Sequence, residues 1–172
     1  SDAASAYLLR FATLMRSIMN QSAKDIISLK EEIETLENYF ALENMRREEA
    51  VNCIVNVKEG TDTEDVFIPP MLVQPFVENS FKHAFKGENK GNKIEIIFAI
   101  EEDMLVVSIE DNGIGMDNSG RGPDGHISLA TNIFRQRMEV MGKSWGKRVE
   151  FSIDDLAKKG GNGTRISFKI PA

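Results

Sequence analysis

Met104-Leu-Val-Val-Ser-Ile-Glu-Asp111-Asn-Gly-Ile-Gly-Met-Asp117 passes from an alternating apolar run into a carboxylate followed by Gly-x-Gly. The alternation predicts a buried strand over residues 104–110. Glycines at 113 and 115 let the backbone approach a flat ligand where any Cβ atom would collide. Because Asp-Asn-Gly is also a common turn, the interpretation depends on the rest of the chain.

The carboxylate at the end of this strand predicts a pocket for adenine. An ionised carboxylate only accepts hydrogen bonds, and the exocyclic amino group of adenine donates them. Guanine carries an acceptor at the equivalent position, so Asp111 would repel guanine.

Composition narrows the class of protein. The 172 residues are 41% hydrophobic and 28% charged, as in soluble globular proteins, and support one core domain with a small appendage. A net charge of −6 argues against a nucleic-acid-binding surface. No apolar stretch approaches the length of a membrane span, and no secretory signal opens the chain. Cys53, the single cysteine, forms neither an internal disulfide nor a structural zinc site.

Periodicity divides the chain near residue 50. Apolar residues at helical spacing predict two N-terminal helices, and Ser28-x-x-Glu31 predicts a capping box at the start of the second. A Gly-rich segment at 117–126 predicts a lid or a disordered loop. The remaining pattern is α+β, with strands at 51–57, 94–100, 104–109, 148–153 and 164–170 and helices at 72–85 and 129–141.

A second group of polar residues lies within Pro70-Met-Leu-Val-Gln-Pro-Phe-Val-Glu-Asn-Ser-Phe-Lys-His-Ala84. On a helix, Asn79, Lys82 and His83 share one edge. The amide oxygen suits Mg²⁺, and the ammonium suits a phosphate group. A solvated edge of a core helix explains the same spacing, so these residues alone leave the choice open.

A third group is Gly160-Gly-Asn-Gly-Thr164, a glycine-rich turn before a strand. It places the Thr164 hydroxyl where a hydrogen bond, direct or through water, can form near Asp111. A simple hairpin turn is an equally good interpretation of this segment.

The order of these groups resembles the ATP-binding domain shared by histidine kinases, type II topoisomerases, Hsp90 and MutL. Glu78-Asn79-Ser-Phe-Lys82-His83 resembles the N-box, Asp111 to Gly115 the first glycine box, and Gly161 to Thr164 the last. Two longer runs are similar to sensor kinases of the LytS/YesM type. They are Ile68-Pro-Pro-Met-Leu-Val-Gln-Pro-Phe-Val-Glu-Asn79 and Ser28-Leu-Lys-Glu-Glu-Ile-Glu-Thr-Leu-Glu-Asn-Tyr-Phe-Ala-Leu-Glu43.

This resemblance implies an α+β fold, a two-layer α/β sandwich in which helices cover one face of a mixed sheet. Residues 1–47 are expected to be the end of a dimerisation helical region with a linker helix. Residues 48–172 are expected to be the ATP-binding catalytic domain.

The resemblance also implies roles for single residues. Asp111 contacts the adenine amino group, Asn79 ligates Mg²⁺, and Lys82 faces the phosphates together with His83. Glu78 is a candidate to assist the transfer. Residues 117–128 form the lid. Further contacts with ATP are expected from Gly113, Gly115, Met116, Gly125, Ser128, Leu129, Gly163 and Thr164.

Departures from the family pattern refine the expectation. Pro75 stands where the hydrolytic relatives carry a water-activating Glu, which favours a kinase. Ser128 replaces the second glycine of the second glycine box. The phosphoacceptor histidine of these kinases, followed by Phe-x-Phe-Asn, is absent from the sequence, because His83 belongs to the N-box and His126 to the lid.

The chain is therefore expected to be a cytoplasmic fragment of a membrane-anchored sensor kinase, homodimeric in full length, with a response regulator as partner. Two alternatives stay open. One is an ATPase of the topoisomerase or Hsp90 type. The other is a non-catalytic nucleotide-binding or protein-interaction module.

Overall fold

Residues 2–85, 91–115 and 129–172 are described by the structure, a computed structural model. The helices are α1 (Asp2–Ser22), α2 (Leu29–Asn44), α3 (Gln74–Asn79) and α4 (Leu129–Trp145). The strands are β1 (Ile27–Ser28), β2 (Asn52–Val57), β3 (Phe67–Ile68), β4 (Lys93–Glu101), β5 (Met104–Asp111), β6 (Glu150–Asp155) and β7 (Thr164–Pro171).

Five strands form the main sheet in the order β2-β4-β5-β7-β6, and β1 pairs separately with β3. β2 runs parallel to β4, whereas the other neighbours are antiparallel, so the predicted mixed sheet is confirmed. The register places Asp111 between Ile94 and Thr164, and Thr164 also pairs with Asp155. Residues distant in sequence thus meet in one row at one end of the sheet.

Alternation along β4 and β5 separates a buried face from a half-exposed face. Phe76 of α3 and Phe134 of α4 pack on the buried face, against each other and against two aromatic rings of the sheet. The fully buried apolar side chains of these two strands are Ile94, Ile96, Phe98, Leu105, Val107 and Ile109. Helices on this face therefore complete the core, in agreement with the predicted sandwich.

The predicted capping box is confirmed at the start of α2. The backbone N–H of Glu31 donates to Oγ of Ser28 (3.2 Å), and the backbone N–H of Ser28 donates to Oε2 of Glu31 (3.0 Å). Further along α2, Leu36 and Phe40 are buried in the same core as the sheet. Helix α2 is thus packed into the structure, whereas α1 buries only Leu14 and Gln21.

The sequence predicted one continuous helix over 72–85, and this detail was wrong. α3 ends at Asn79, and Ser80 to Ala84 continue as a π-helical turn. Each residue of a π-helix turns through a smaller angle than the roughly 100° of an α-helix. The shared edge expected from α-helical spacing is therefore distorted between Asn79 and Lys82.

Two smaller predictions concern Cys53 and membrane segments. Cys53 is a half-buried free thiol, and burial raises its pKa to about 12. Among the described helices, none is both long enough and apolar enough to cross a membrane.

Candidate functional site

Asp111 is the last residue of β5, and its carboxylate is buried. The hydroxyl of Ser80 lies 3.1 Å from Oδ2 of Asp111, within donating distance. The backbone N–H of Gly113 donates to Oδ1 (3.0 Å). The carboxylate therefore joins the end of the sheet to the segment that carries Asn79.

Burial raises the pKa of Asp111, and three donors oppose the rise. They are the N–H of Gly113, the hydroxyl of Ser80 and the backbone N–H of Thr164. A carboxylate offers about four lone-pair positions. Hydrogen bonds from Ser80 and Gly113 engage two of them, so acceptor capacity remains for a donor such as an amino group of a ligand. The residue fits the adenine contact that the sequence predicted.

Two glycines near Asp111 allow backbone segments to touch. A Cβ atom on Gly163, whose φ is +91°, would lie 1.8 Å from the carbonyl oxygen of Asp111. A Cβ atom on Gly113 would lie 2.3 Å from the carbonyl oxygen of Ala84. The N–H of Ile114 also donates to this oxygen (3.0 Å). These glycines hold the three sequence groups together, a structural role that does not require a ligand.

Gly115 has a φ of +75°, and a Cβ atom there would lie 3.0 Å from Oδ1 of Asp155. Oδ1 of Asp155 also accepts the backbone N–H of Ala157 (3.1 Å). The Gly-x-Gly turn thus lies against the end of β6 as well as β7.

Residues Glu78 to His83, called the Asn79 segment below, lie beside Asp111. Asn79 is half-exposed, and Lys82 and His83 are exposed on the π-helical turn. Glu78 is half-exposed and accepts a hydrogen bond from Nε2 of Gln74 (3.2 Å). The neighbour of Asn79 in the chain, Ser80, contacts Asp111, which brings the predicted magnesium ligand close to the predicted adenine contact.

The structure thus brings three predicted groups together. These are the Asn79 segment, the Asp111 turn, and the pair Gly163–Thr164. Leu129 begins α4. Met116, Gly125, Ser128 and the predicted lid 117–128 lie outside the described residues.

Ser80 and Asp155 belong to this centre but were not predicted. Ser80 lies between two residues of the N-box motif, and no local pattern distinguishes its hydroxyl from that of any other helical serine. Asp155 could have been predicted from the sequence, because it is a carboxylate at the end of a strand, as Asp111 is.

A shallow groove of about 450 Å³ lies elsewhere, between α4 and β6. Its lining includes Phe134, Met138 and Phe151, and none of the predicted site residues. The groove is separate from the candidate site.

Comparison with known families gives two matches along the chain. Residues 1–51 match the family described as histidine kinase. Residues 69–172 match the family described as histidine kinase-, DNA gyrase B-, and HSP90-like ATPase.

Curated relatives include the sensor protein LytS of Staphylococcus epidermidis. It is 33% identical over 116 residues, which are 67% of this chain and 19% of the relative. The sensor histidine kinase/phosphatase LytS of Staphylococcus aureus is 32% identical over 117 residues, which are 67% of this chain and 20% of the relative. The chain spans about a fifth of the length of these relatives.

Solved structures share the fold. The histidine kinase domain of a blue-light activated kinase from Erythrobacter litoralis gives a TM-score of 0.65 at 20% identity, and the alignment covers 96% of this chain and 74% of that one. A mycobacterial sensor histidine kinase, MprB, gives 0.58 at 16% identity, with 85% and 95% covered.

Proposed function

Because the chain belongs to the family of histidine kinase-, DNA gyrase B- and HSP90-like ATPases, we propose that it is the Mg-ATP-binding catalytic part of a sensor histidine kinase. The γ-phosphate passes to a histidine elsewhere in the whole protein and from there to a response regulator. This part of the protein lies in the cytoplasm, where ATP is available, and the whole protein is a membrane-anchored homodimer.

Asp111 carries the proposal. Its carboxylate is buried and fixed by hydrogen bonds from Ser80 and Gly113, and it keeps acceptor capacity for the amino group of adenine. A buried acceptor discriminates strongly, because a ligand without the matching donor leaves the acceptor unpaired. The site therefore accepts ATP and rejects GTP.

The Asn79 segment supplies the phosphate end of the site. The amide oxygen of Asn79 ligates Mg²⁺, and Lys82 and His83 face the phosphates from the π-helical turn. If Mg²⁺ were bound, Asn79 would hold it, and it would supply positive charge that offsets the negative charge developing during transfer. Among the described residues, no cluster of three or more His, Cys, Asp or Glu side chains is arranged to hold a metal. Asn79 with phosphate oxygens suits Mg²⁺, which keeps several waters and needs few protein ligands.

The absence of a water-activating carboxylate favours transfer over hydrolysis. Pro75 stands four residues before Asn79, at the position where the hydrolytic relatives carry Glu. Glu78 directly precedes Asn79, and its side chain points about 100° away from that of Asn79 around α3, since each α-helical residue turns by about this angle. It assists the transfer by interacting with the incoming nucleophile, and a histidine of the whole protein takes the phosphoryl group.

Calorimetric titration of the chain with ATP and with GTP, each with Mg²⁺, tests the proposal. We expect ATP binding, no comparable GTP binding, and a loss of about 10- to 100-fold in ATP affinity for Asp111→Asn, since a hydrogen bond to a charged group contributes about 1.5–3 kcal/mol. The control Asp65→Asn changes an exposed aspartate and should bind ATP as the wild type does.

Three results would contradict the proposal. Equal affinity for GTP would exclude an adenine pocket at Asp111. Unchanged ATP binding by Asp111→Asn would place the base elsewhere. Failure of the folded wild-type chain to bind any nucleotide would favour a protein-interaction module.

A further inference from the structure

A carboxylate from α2 is buried at the start of α3. The side chain of Glu32 belongs to a residue that is 1% exposed, and it accepts three backbone N–H groups. Oε2 accepts from Met71 (3.2 Å), and Oε1 accepts from Leu72 (3.2 Å) and Val73 (3.1 Å). Such consecutive N–H groups form a concave site for an anion, and here the anion is supplied by the chain itself.

Arg137 of α4 holds the carbonyl groups of the same loop. Nη2 donates to the oxygen of Pro70 (2.8 Å), and Nη1 donates to the oxygen of Met71 (3.1 Å). The guanidinium also attracts the carboxylate of Glu32 electrostatically. The loop before α3 is thus fixed on both sides of its backbone. The carboxylate of Glu32 binds its N–H groups, and the guanidinium of Arg137 binds its carbonyl groups.

This fixation matters because the loop is locally unfavourable. Met71 has a φ of +59°, a left-handed conformation that is unfavourable for a non-glycine residue. Val73 caps α3 without a side-chain hydrogen bond. Glu32 supplies from another helix the acceptors for the three N–H groups just before α3.

Helix α2 also contacts the other end of the segment. Tyr39 and Phe40 pack against Phe81 with ring centroids 5.7 and 6.3 Å apart, respectively. Just after α2, Arg47 donates to the carbonyl oxygen of Phe81 (2.7 Å) and covers its ring. The segment from Met71 to Phe81 is therefore held at both ends by α2 and the residues after it.

We propose that Glu32 is a positioning residue for the nucleotide site, which holds the start of α3 so that Asn79 stands at the correct place relative to Asp111. The inference rests on the proposed function. Asp111 is on the sheet and contacts the base, whereas Asn79 is on α3 and contacts the metal. A shift of α3 against the sheet thus weakens binding of Mg-ATP but spares binding of the base.

Glu32→Gln tests this with a nearly isosteric side chain. An amide has one acceptor oxygen in place of two, so at least one N–H of the loop faces a donor. We expect Mg-ATP affinity to fall about tenfold or more, as for other groups that orient metal ligands, with adenosine affinity within about twofold of wild type. Calorimetry measures the first and an NMR titration the second. Glu37→Gln, on the exposed side of α2, is the matched control and should leave both unchanged.

A purely structural role for Glu32 gives a different result. Partial unfolding lowers the apparent affinity for both ligands by the same factor, because only the folded fraction binds. Equal losses for Mg-ATP and adenosine, or no loss of either, would overturn the inference.

A second variant covers the case in which Glu32→Gln does not fold. Arg137→Gln keeps the carboxylate and releases the carbonyl groups of Pro70 and Met71. We expect the same selective loss for Mg-ATP, and its absence would overturn the inference. If wild-type chain binds neither Mg-ATP nor adenosine, the proposed function fails together with it. A different result would refute only the role of Glu32. In that case wild type binds ATP and Asp111→Asn binds it more weakly, as proposed, but Glu32→Gln and Arg137→Gln both bind as wild type does.

Discussion

The hydroxyl of Ser80 lies 3.1 Å from Oδ2 of Asp111, and this hydrogen bond joins the helical segment with the predicted phosphate-binding residues to the strand with the predicted base contact. Both groups are buried. The residue that follows α3 is therefore anchored to the sheet, whereas the start of α3 is held by Glu32.

Ser80→Ala should destabilise the fold and weaken ATP binding. The substitution removes a donor from a buried carboxylate, at a cost of about 1–3 kcal/mol in the free energy of unfolding. It should also raise the pKa of Asp111 further, because this donor favours the charged form. Urea denaturation measures the first effect. Ser152→Ala, on an exposed strand position, should change stability by less than about 0.5 kcal/mol. Equal stability of the two variants would show that the hydrogen bond contributes nothing.

Gly163→Ala should be much more disruptive than Gly60→Ala. Both glycines have positive φ, +91° and +86°, so an alanine at either position carries the cost of a left-handed conformation, about 1–2 kcal/mol. At Gly60 nothing lies within 4 Å of the added Cβ, whereas at Gly163 the atom would collide with the backbone of Asp111. We expect a loss of about 4 kcal/mol or more for Gly163→Ala, or failure to fold. Similar midpoints of denaturation for the two variants would contradict the close contact between β7 and the Asp111 turn.

Asp111 should make the stability of the chain depend on pH in an unusual direction. Burial raises the pKa of Asp111 above the ordinary 3.8. Between 3.8 and the raised value the folded state binds more protons than the unfolded state, so the free energy of unfolding increases as pH falls through this interval. Ionisation of the same carboxyl therefore lowers stability at neutral pH, where ATP binding requires the charged form.

Denaturation of the wild type and of Asp111→Asn at several pH values isolates this contribution. Other carboxyl groups titrate in both proteins and largely cancel. The wild type should gain stability relative to the variant as pH is lowered from 7 toward 4. A relative loss instead would mean that the pKa of Asp111 is lowered in the folded chain.

Removal of α2 should prevent stable folding of the remainder. A chain of residues 48–172 corresponds to the predicted catalytic domain, but it lacks Leu36 and Phe40 of the core and the carboxylate of Glu32. We expect it to unfold at a much lower temperature than a chain of residues 26–172, which retains α2 and loses α1. Circular dichroism measures both. Equal melting temperatures would confirm the boundary near residue 47 as a true domain boundary.

Much of the fold could be predicted because the signals are local. The alternation along β4 and β5 has a period of two residues, and Ser28 and Glu31 form their capping box within one helical turn. The order of the three motifs indicated the protein family, and the family in turn implied a mixed sheet. Each of these features can be recognised from the side-chain types of neighbouring residues.

The parts that could not be predicted depend on partners far along the chain. The hydroxyl of Ser80 has meaning only beside Asp111, and the carboxylate of Glu32 only beneath the loop at Met71. Glu32 lies in a glutamate-rich stretch of α2, a pattern that is typical of a solvated helix face, yet the residue is buried. Composition could not distinguish it from the exposed Glu34 and Glu37.

The pairing of β5 with β7 has a consequence for folding kinetics. The β4–β5 hairpin closes a short loop, but Asp111 meets Thr164 only after a long stretch of chain has returned to the sheet. Contacts of such high sequence separation form late, because the loop-closure entropy is lost before they are gained. We therefore expect the pocket around Asp111 to form late in folding. A nucleotide that binds only the folded chain, present at 100 times its dissociation constant, should therefore increase the free energy of unfolding by about 2.7 kcal/mol.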